Sequence, residues 1–366
     1  QTIYQTKGVF EDVVANICDV EYKFGTGGLH GSVNNRVFVS NDEYVIIDDD
    51  VASLYPSVAL VNQFYPEHLG MEFVKHYSSL KVERFKHAKG TPQNAALKLA
   101  LNGAYGNSNS EFSVFYDPKF TMSVTVNGQL ILAMFIEWLL TVPTLQIIQA
   151  NTDGITYYVQ RAQLPRVNEI RAAWQKFTCL ELEQAEYKRV WIRDVNNYVA
   201  EGDKIKAKGA YWTPDKHPDD IQNLSPTGWY RDYSADVCAK AAVSCMLHGT
   251  DIATFIYSHT DMFDFMLREK CKRTDHLLID GVEQQRVLRY FMSRDGGILQ
   301  KVAPPTEPDR IGWFKPARAT SDADYMEWHR INGNVHNPAL HTKNRSVYQN
   351  RTTHFHAGYK VTECNH

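Results

Sequence analysis

The chain has 366 residues, 43% hydrophobic and 22% charged, which is enough for two or three units around one or two cores and excludes a disordered or low-complexity protein. A formal net charge of -3 neither requires nor rules out a nucleic-acid partner, because a groove can be locally basic on a near-neutral protein. Cys18, Cys179, Cys238, Cys245, Cys271 and Cys364 show no zinc-knuckle or redox spacing and read as buried thiols. With no signal peptide and no apolar run of membrane-spanning length expected, the expected location is the cytoplasm.

The chain opens on Gln1 without an initiating methionine, so further sequence is expected upstream. Residues 43–50 form an apolar run closing in three acids, the pattern of a buried strand that delivers Asp50 to a rim. The Tyr55-Pro56 step is expected to break that strand. A sharp turn there would leave the backbone amides of Ser53, Leu54 and Tyr55 free for phosphate oxygens, with Tyr55 packed beneath a sugar ring.

Residues 72–89 are polar, basic and helical in period, and Gly90-Thr91-Pro92 separates them from a second helical stretch, 93–104. Together they predict an antiparallel helical hairpin. Lys98, Asn102 and Tyr105 fall at i, i+4 and i+7, one face of that second helix. A lysine there can neutralise a triphosphate and an aromatic ring can stack on a base, while Gly103 and Gly106 permit close approach.

Residues 121–140 predict an apolar helix laid on the back of a sheet. The strands expected at 145–150 and 155–159 flank Asp153-Gly154, a dipeptide typical of tight hairpins, which would expose the Asp153 carboxylate at its tip. A helix over 162–178 and strands over 187–192, 197–201 and 204–211 continue an antiparallel sheet. Past residue 227 the periods at 235–247, 251–272 and 283–294 all read as helical, with Cys238 and Cys245 sharing one core-facing side. From residue 304 the chain reads as an irregular, mildly basic extension ending in a strand over 358–362.

Taken singly, Asp50 at a strand end, Lys98 on a helix and Asp153 in a turn have ordinary readings as a loop, a solvated face and turn geometry. Their joint occurrence in one order, on a predicted strand, helix and hairpin, is what points to metal-assisted transfer of a nucleotide.

The set resembles family B DNA polymerases. Asp50-Val51-Ala52-Ser53-Leu54-Tyr55-Pro56-Ser57 matches that family's first polymerase motif completely, and Lys98 to Gly106 matches the second except for Gly103 in place of serine. Asn151-Thr152-Asp153-Gly154 matches the third at Thr152 and Asp153, with asparagine for the first aspartate and glycine for the serine. Looser likenesses are Tyr22 to Gly28, similar to a template-contacting loop of phage members, and Gly128-Gln129, similar to a Gly-Arg pair. Asn196-Asn197-Tyr198 stands for a Lys-x-Tyr segment, and Lys206-Ala207-Lys208-Gly209 for the basic strand after it. The resemblance covers roughly residues 22–211.

This resemblance implies an α+β fold: an antiparallel-sheet palm, a helical-hairpin fingers insertion and a mostly helical thumb. The implied division is palm at 1–65 and 107–222, fingers at 66–106, and thumb with extension at 223–366. It implies a phage-type DNA polymerase that adds dNTPs to a primer 3′-hydroxyl, with two Mg²⁺ ions, or Mn²⁺, held by Asp50, Val51 and Asp153. Lys98 would be catalytic and, with Ser53, Leu54, Tyr55, Arg84, Lys86 and Asn102, would bind the nucleotide. Tyr55 would also reject ribonucleotides. Tyr22, Gly27, Gly28, Tyr105, Gly106, Tyr198, Lys206 and Lys208 would touch primer-template DNA. Replisome accessory proteins are further expected partners, and a membrane is not. Too few residues precede Asp50 for an exonuclease domain, and the interval from Tyr105 to Asp153 leaves little room for a protein-priming insertion. Two other classes stay open: an impaired descendant that only binds primer-template DNA, given Asn151, Gly154 and Asn196, and another palm-type polymerase such as a reverse transcriptase.

Overall fold

The apolar run before Asp50 forms β5 (Tyr44–Val51), in which Val45, Ile46 and Ile47 have no exposed surface. A strand buried on both faces reads as a continuous apolar stretch, and β5, an inner strand of its sheet, fits that rule. The computed structural model describes residues 13–211, 234–303, 351–354 and 360–363. The chain divides into two compact units, Gln1–His217 with Ala242–Gly249, and Pro218–Ala241 with Thr250–His366.

In the first unit, β1 (Val14–Ile17), β2 (Val20–Gly25), β3 (Gly28–Ser32) and β4 (Arg36–Val39) precede β5. Sequence periodicity missed these four, and the segment expected as a loop at residues 22–28 is the hairpin joining β2 to β3. After β5 come α1 (Leu54–Val61), α2 (Gly70–Phe85), α3 (Pro92–Gly106) and α4 (Pro118–Leu139). Next are β6 (Gln146–Asn151), β7 (Gly154–Gln160), α5 (Leu164–Thr178), β8 (Leu182–Tyr187), β9 (Arg189–Asp194), β10 (Asn197–Glu201) and β11 (Ile205–Lys208). A seven-stranded antiparallel sheet runs β1-β2-β3-β6-β7-β5-β8, and a four-stranded one runs β11-β10-β9-β4. The fold is α+β, with its strands paired antiparallel.

The expected helical hairpin is α2 and α3. Thr91 caps α3 by accepting from the Asn94 amide at 3.3 Å, and Pro92 occupies the first turn, where its missing N–H costs nothing. Tyr77 of α2 donates to the Leu101 carbonyl of α3 at 2.8 Å, which ties the two helices together. Helix α4 has the 22-residue length and a mean hydropathy of 1.3 that would suffice to cross a membrane, contrary to the reading that no such segment exists. Here Phe120, Val124, Leu132, Phe135, Ile136 and Leu139 are buried in the core. Trp174 of α5 packs on Phe135 with ring centroids 5.0 Å apart and tilted by 36°, and donates to the Ile131 carbonyl at 3.2 Å.

The second unit departs furthest from the helical reading. Among its described residues the α-helices are α6 (Asp236–His248), whose first residues belong to it, and the short α7 (Ile252–Ser258). The described strands are β12 (Leu267–Lys270), β13 (His276–Ile279), β14 (Val282–Glu283), β15 (Val287–Ala303), β16 (Arg351–His354) and β17 (Lys360–Glu363). The expected helix over 283–294 is therefore corrected to strand, and the one over 251–272 is broken into α7, a 3-10 turn over Met262–Phe265 and the strand β12. The 17-residue β15 pairs with β12, β13, β16 and β17, and its Leu288, Tyr290 and Leu299 form a core with Leu277 and Val361. Val287, Tyr290 and Phe291 suit a pleated surface, but the strands that receive them are remote in sequence, so local periodicity misassigned them. Helix α7 stops at Ser258, after which Asp264 takes Lys240 at 2.9 Å and the His259 imidazole, and turns the chain into β12. The described part of the expected strand at 358–362 lies in β17, while the extension over 304–350 and Cys364 lie outside the described residues. The cysteines are also less buried than expected: Cys18, Cys179 and Cys238 are exposed, Cys245 is half-buried, and Cys271 is buried.

Candidate functional site

Strand β5 ends at Val51, and Ser53 adopts a left-handed backbone, φ 51°, before α1 begins at Leu54. The strand thus ends before Tyr55-Pro56, and Pro56 lies within the first turn of α1. Asp50 is paired in register with Gly154 on β7. The tip between β6 and β7 is Thr152-Asp153, one residue earlier than the Asp-Gly reading, and its positive φ of 63° falls on Thr152. Thr152 tolerates it because its amide donates to the Leu29 carbonyl at 2.9 Å and its hydroxyl meets His30 Nε2 at 3.0 Å. The Val51 amide donates to the Asp153 carbonyl at 2.7 Å, which fastens the two carboxylate-bearing ends to each other.

Asp50 and Asp153 face one cavity of about 840 Å³, lined also by Val51, Ser53, Leu54, Tyr55, Arg84, Lys98, Asn102 and Tyr105. Three segments far apart in sequence therefore meet at one place. Burial pushes the Asp50 carboxyl up to about 6, helped by repulsion from Asp48 and Asp153 and opposed by Lys206 and Lys208. Burial also raises Asp153, against the attraction of Lys208, Lys206 and Lys98. Two desolvated carboxylates repelling each other at a cavity wall form a place where a cation is favoured.

Across the cavity, Arg84 donates to the Ser53 hydroxyl at 2.5 Å and approaches Asn94 Oδ1 at 3.5 Å. Lys98 is exposed, with Asn102 one turn further along α3. Lys86 does not line the cavity: it pairs with Glu83 at 2.8 Å on the outer side of the hairpin. Two residues beyond Arg84, a helical position turns to about the opposite side. His87, Lys89 and Glu183, which the motifs did not single out, do line it, and Lys89 meets Glu183 at 2.6 Å.

The floor is aromatic. Tyr55 stacks on Tyr105 with centroids 4.4 Å apart, and Tyr105 shares a hydrogen bond with the Thr125 hydroxyl at 2.5 Å. Burial raises both phenols above their ordinary range. The Tyr55 hydroxyl donates to the Gly27 carbonyl, and a Cβ at Gly28, whose φ is 141°, would lie 3.1 Å from that same hydroxyl. Gly27 and Gly28 therefore brace Tyr55. Gln129 adds to the brace by donating to the Gly25 carbonyl at 2.9 Å.

Other expected DNA contacts are placed differently. Tyr22 and Tyr198 are 3% and 2% exposed, so their rings belong to the core and offer no surface for a duplex. Burial also raises both phenols, Tyr22 beyond the ordinary range. Lys206 is half-buried, with its amine 3.2 Å from Asp48 and 3.9 Å from Asp50. Lys208 is exposed, with its amine 5.9 Å from the Tyr198 ring centroid. Gly106 ends α3 in open space away from the cavity. Asn151 donates through its amide to the Val195 carbonyl at 3.1 Å and is not part of the cavity lining.

Oxygen donors of this kind suit Mg²⁺ or Mn²⁺, which bind through one or two carboxylates, retained waters and substrate phosphates. Among the described residues no group of three or more His, Cys, Asp or Glu stands ready to hold a metal, and Asp50 and Asp153 are the aspartates that line the cavity. This donor set fits a metal completed by phosphate oxygens.

No protein-family model matches the chain, and no curated protein matches it. Among solved structures it is similar to the family B DNA polymerase from the hyperthermophilic archaeon Pyrobaculum calidifontis, at 14% identity and a TM-score of 0.41. The match covers 79% of this chain and 42% of that one, so the chain spans less than half the length of the solved structure it resembles.

Proposed function

We propose that the chain is a template-directed DNA polymerase that adds a dNTP to a primer 3′-hydroxyl. The observation that carries this reading is the convergence of Asp50, Asp153, Arg84, Lys98 and the Tyr55-Tyr105 stack on one cavity. Divalent ions, when bound by Asp50 and Asp153, supply charge neutralisation for the triphosphate and activation of the primer hydroxyl.

The chain's own residues do the positioning. Lys98 and Arg84 extend from the helical hairpin toward the triphosphate, with Arg84 held by Ser53 so that its fork is set before a ligand arrives. Asn102 orients the nucleotide from the same helix face. The Tyr55 ring, fixed on Tyr105 and fastened to Gly27, walls the sugar pocket and crowds a 2′-hydroxyl. Exposed Lys208 attracts the primer-template backbone. Burial around the carboxylates strengthens each of these electrostatic contacts.

Primer extension with purified protein, dNTPs and Mg²⁺ or Mn²⁺ tests the reading. A second reading is favoured by Asn151, whose amide is spent on a backbone carbonyl: a primer-template-binding module without turnover. Duplex binding without extension in either metal would establish the second and exclude the first.

A further inference from the structure

Three consecutive acids close β5, and each has a different fate. Asp49 points away from the cavity and is fully buried, held by Arg171 at 3.0 Å and by the Tyr157 hydroxyl at 2.7 Å. Asp50 and Asp48 share the opposite face, as alternate residues of a strand do. Asp50 reaches the cavity, whereas Asp48, 5% exposed, stays behind it.

Asp48 is saturated with donors. The Thr156 hydroxyl donates to it at 2.6 Å, the Tyr187 hydroxyl at 2.7 Å and the Lys206 amine at 3.2 Å. The same amine lies 3.4 Å from the Tyr187 oxygen and 3.9 Å from Asp50 Oδ2. Lys206 is therefore shared between a carboxylate inside the sheet and one at the cavity wall, and it stands nearer the inner one. Lys206 is carried there by β11, which pairs with β10 so that Lys206 lies opposite Ala200.

The position has a direct consequence for cation binding. An ammonium 3.9 Å from Asp50 neutralises part of the charge that a divalent ion would use, and repels that ion once it arrives. Asp48 opposes this by drawing the amine inward. Deleting that inner charge would release Lys206 toward Asp50.

We propose that Lys206 is a tethered cation that competes with a divalent ion for Asp50, and that Asp48, with Tyr187, is the positioning group that holds it back. This inference rests on the reading of Asp50 and Asp153 as metal ligands. It assigns Lys206 a role other than duplex contact, and it gives Asp48 a role that the motif residues alone do not.

The test is Mn²⁺ titration of the full chain, followed by the electron paramagnetic resonance signal of free ion, with no DNA or nucleotide present. Lys206→Met, which keeps an apolar stem of similar length, is expected to tighten Mn²⁺ binding roughly tenfold, and Asp48→Asn to weaken it roughly tenfold. In the Lys206→Met background, Asp48→Asn should lose most of its effect, because the released amine is no longer there. Tyr187→Phe should weaken binding in the same direction as Asp48→Asn. Should Asp48→Asn fail to fold by circular dichroism, Lys206→Met and Tyr187→Phe decide the matter by their opposite signs. Unchanged or weaker Mn²⁺ binding in Lys206→Met overturns the proposal, as does an Asp48→Asn loss that persists undiminished in the double variant. If Asp50→Asn with Asp153→Asn leaves Mn²⁺ binding as it was, the metal reading itself fails, which is a distinct result.

Discussion

The Asp50 carboxylate occupies the space that a side chain on residue 154 would need: a Cβ built on Gly154 would overlap Asp50 Oδ1 and lie 3.0 Å from its Cγ. Gly154 has no positive φ, so the hairpin backbone does not demand glycine there. The demand is steric and comes from Asp50. Gly154→Ala should leave the fold intact, since the end of one side chain can rotate away, but should swing Asp50 out of line. The expected result is a nearly unchanged melting temperature with about a hundredfold lower turnover, the scale of loss that small misplacements of reacting groups bring.

Asp153→Asn should abolish primer extension while duplex binding, measured by fluorescence anisotropy, stays within a few-fold of the parent. The substitution removes charge at the hairpin tip and breaks no backbone tie, because the Val51 amide bonds the Asp153 carbonyl and not its side chain. Extension at the parent's rate would remove Asp153 from the metal site.

The Tyr55-Tyr105 stack separates two roles of one ring. Tyr55→Val removes both ring and hydroxyl and should raise ribonucleotide incorporation at least about tenfold, an energy within reach of one steric contact. Tyr55→Phe keeps the ring and loses the bond to Gly27. It should retain sugar discrimination while lowering stability by about 1 kcal/mol. Competition between dCTP and CTP in single-nucleotide addition, together with urea unfolding, reads the two effects separately.

Protonation sets a pH window. Burial holds Asp49 and Asp50 at about 6 in the folded protein, against roughly 3.9 for an unfolded aspartate. A carboxyl raised in the folded state contributes stability that is complete below about pH 4 and is lost as pH rises through about 6. The metal-free melting temperature should therefore lose this contribution across that interval. On the proposed reading Mg²⁺ binds the ionised Asp50 and Asp153, so the stabilisation it brings should grow as pH rises through about 6. Melts at about pH 5 and about pH 7.5, with and without Mg²⁺, check both signs, and Asp50→Asn should flatten the metal-dependent part.

Arg171→Ala tests the buried pair behind the site. Removing the guanidinium leaves Asp49 with Tyr157 as its remaining hydrogen-bond donor inside the core. The expected cost is about 3 kcal/mol in urea unfolding, the size of loss seen when one partner of a buried ion pair is deleted.

Much of the site was legible in the sequence because its parts are local. A continuous apolar run ending in acids specifies a buried strand with a carboxylate at its end, and helical spacing places Lys98, Asn102 and Tyr105 together without any tertiary information. What was not legible depends on residues distant along the chain. Tyr198 reads as an available aromatic until β9 and β11 enclose it, and Lys206 reads as a solvated base until Asp48 and Tyr187 meet its amine. Gly154 reads as turn geometry until Asp50 is seen lying against it. The strands of the second unit escaped for the same reason, since β15 becomes a strand through partners as remote as β17. The repeated acids Asp48 and Asp49 were the one visible signal that went unused. Consecutive carboxylates in a buried strand require partners, and Arg171, Tyr157, Tyr187 and Lys206 are those partners.

The most direct measurement is single-turnover addition of each dNTP opposite each template base, with Mg²⁺, comparing the parent protein with Asp50→Asn. A template-directed polymerase adds the complementary nucleotide in each case and loses that addition in Asp50→Asn while the primer-template stays bound. Addition that ignores the template, or that persists in Asp50→Asn, or no addition by a DNA-bound parent, would rule out this function.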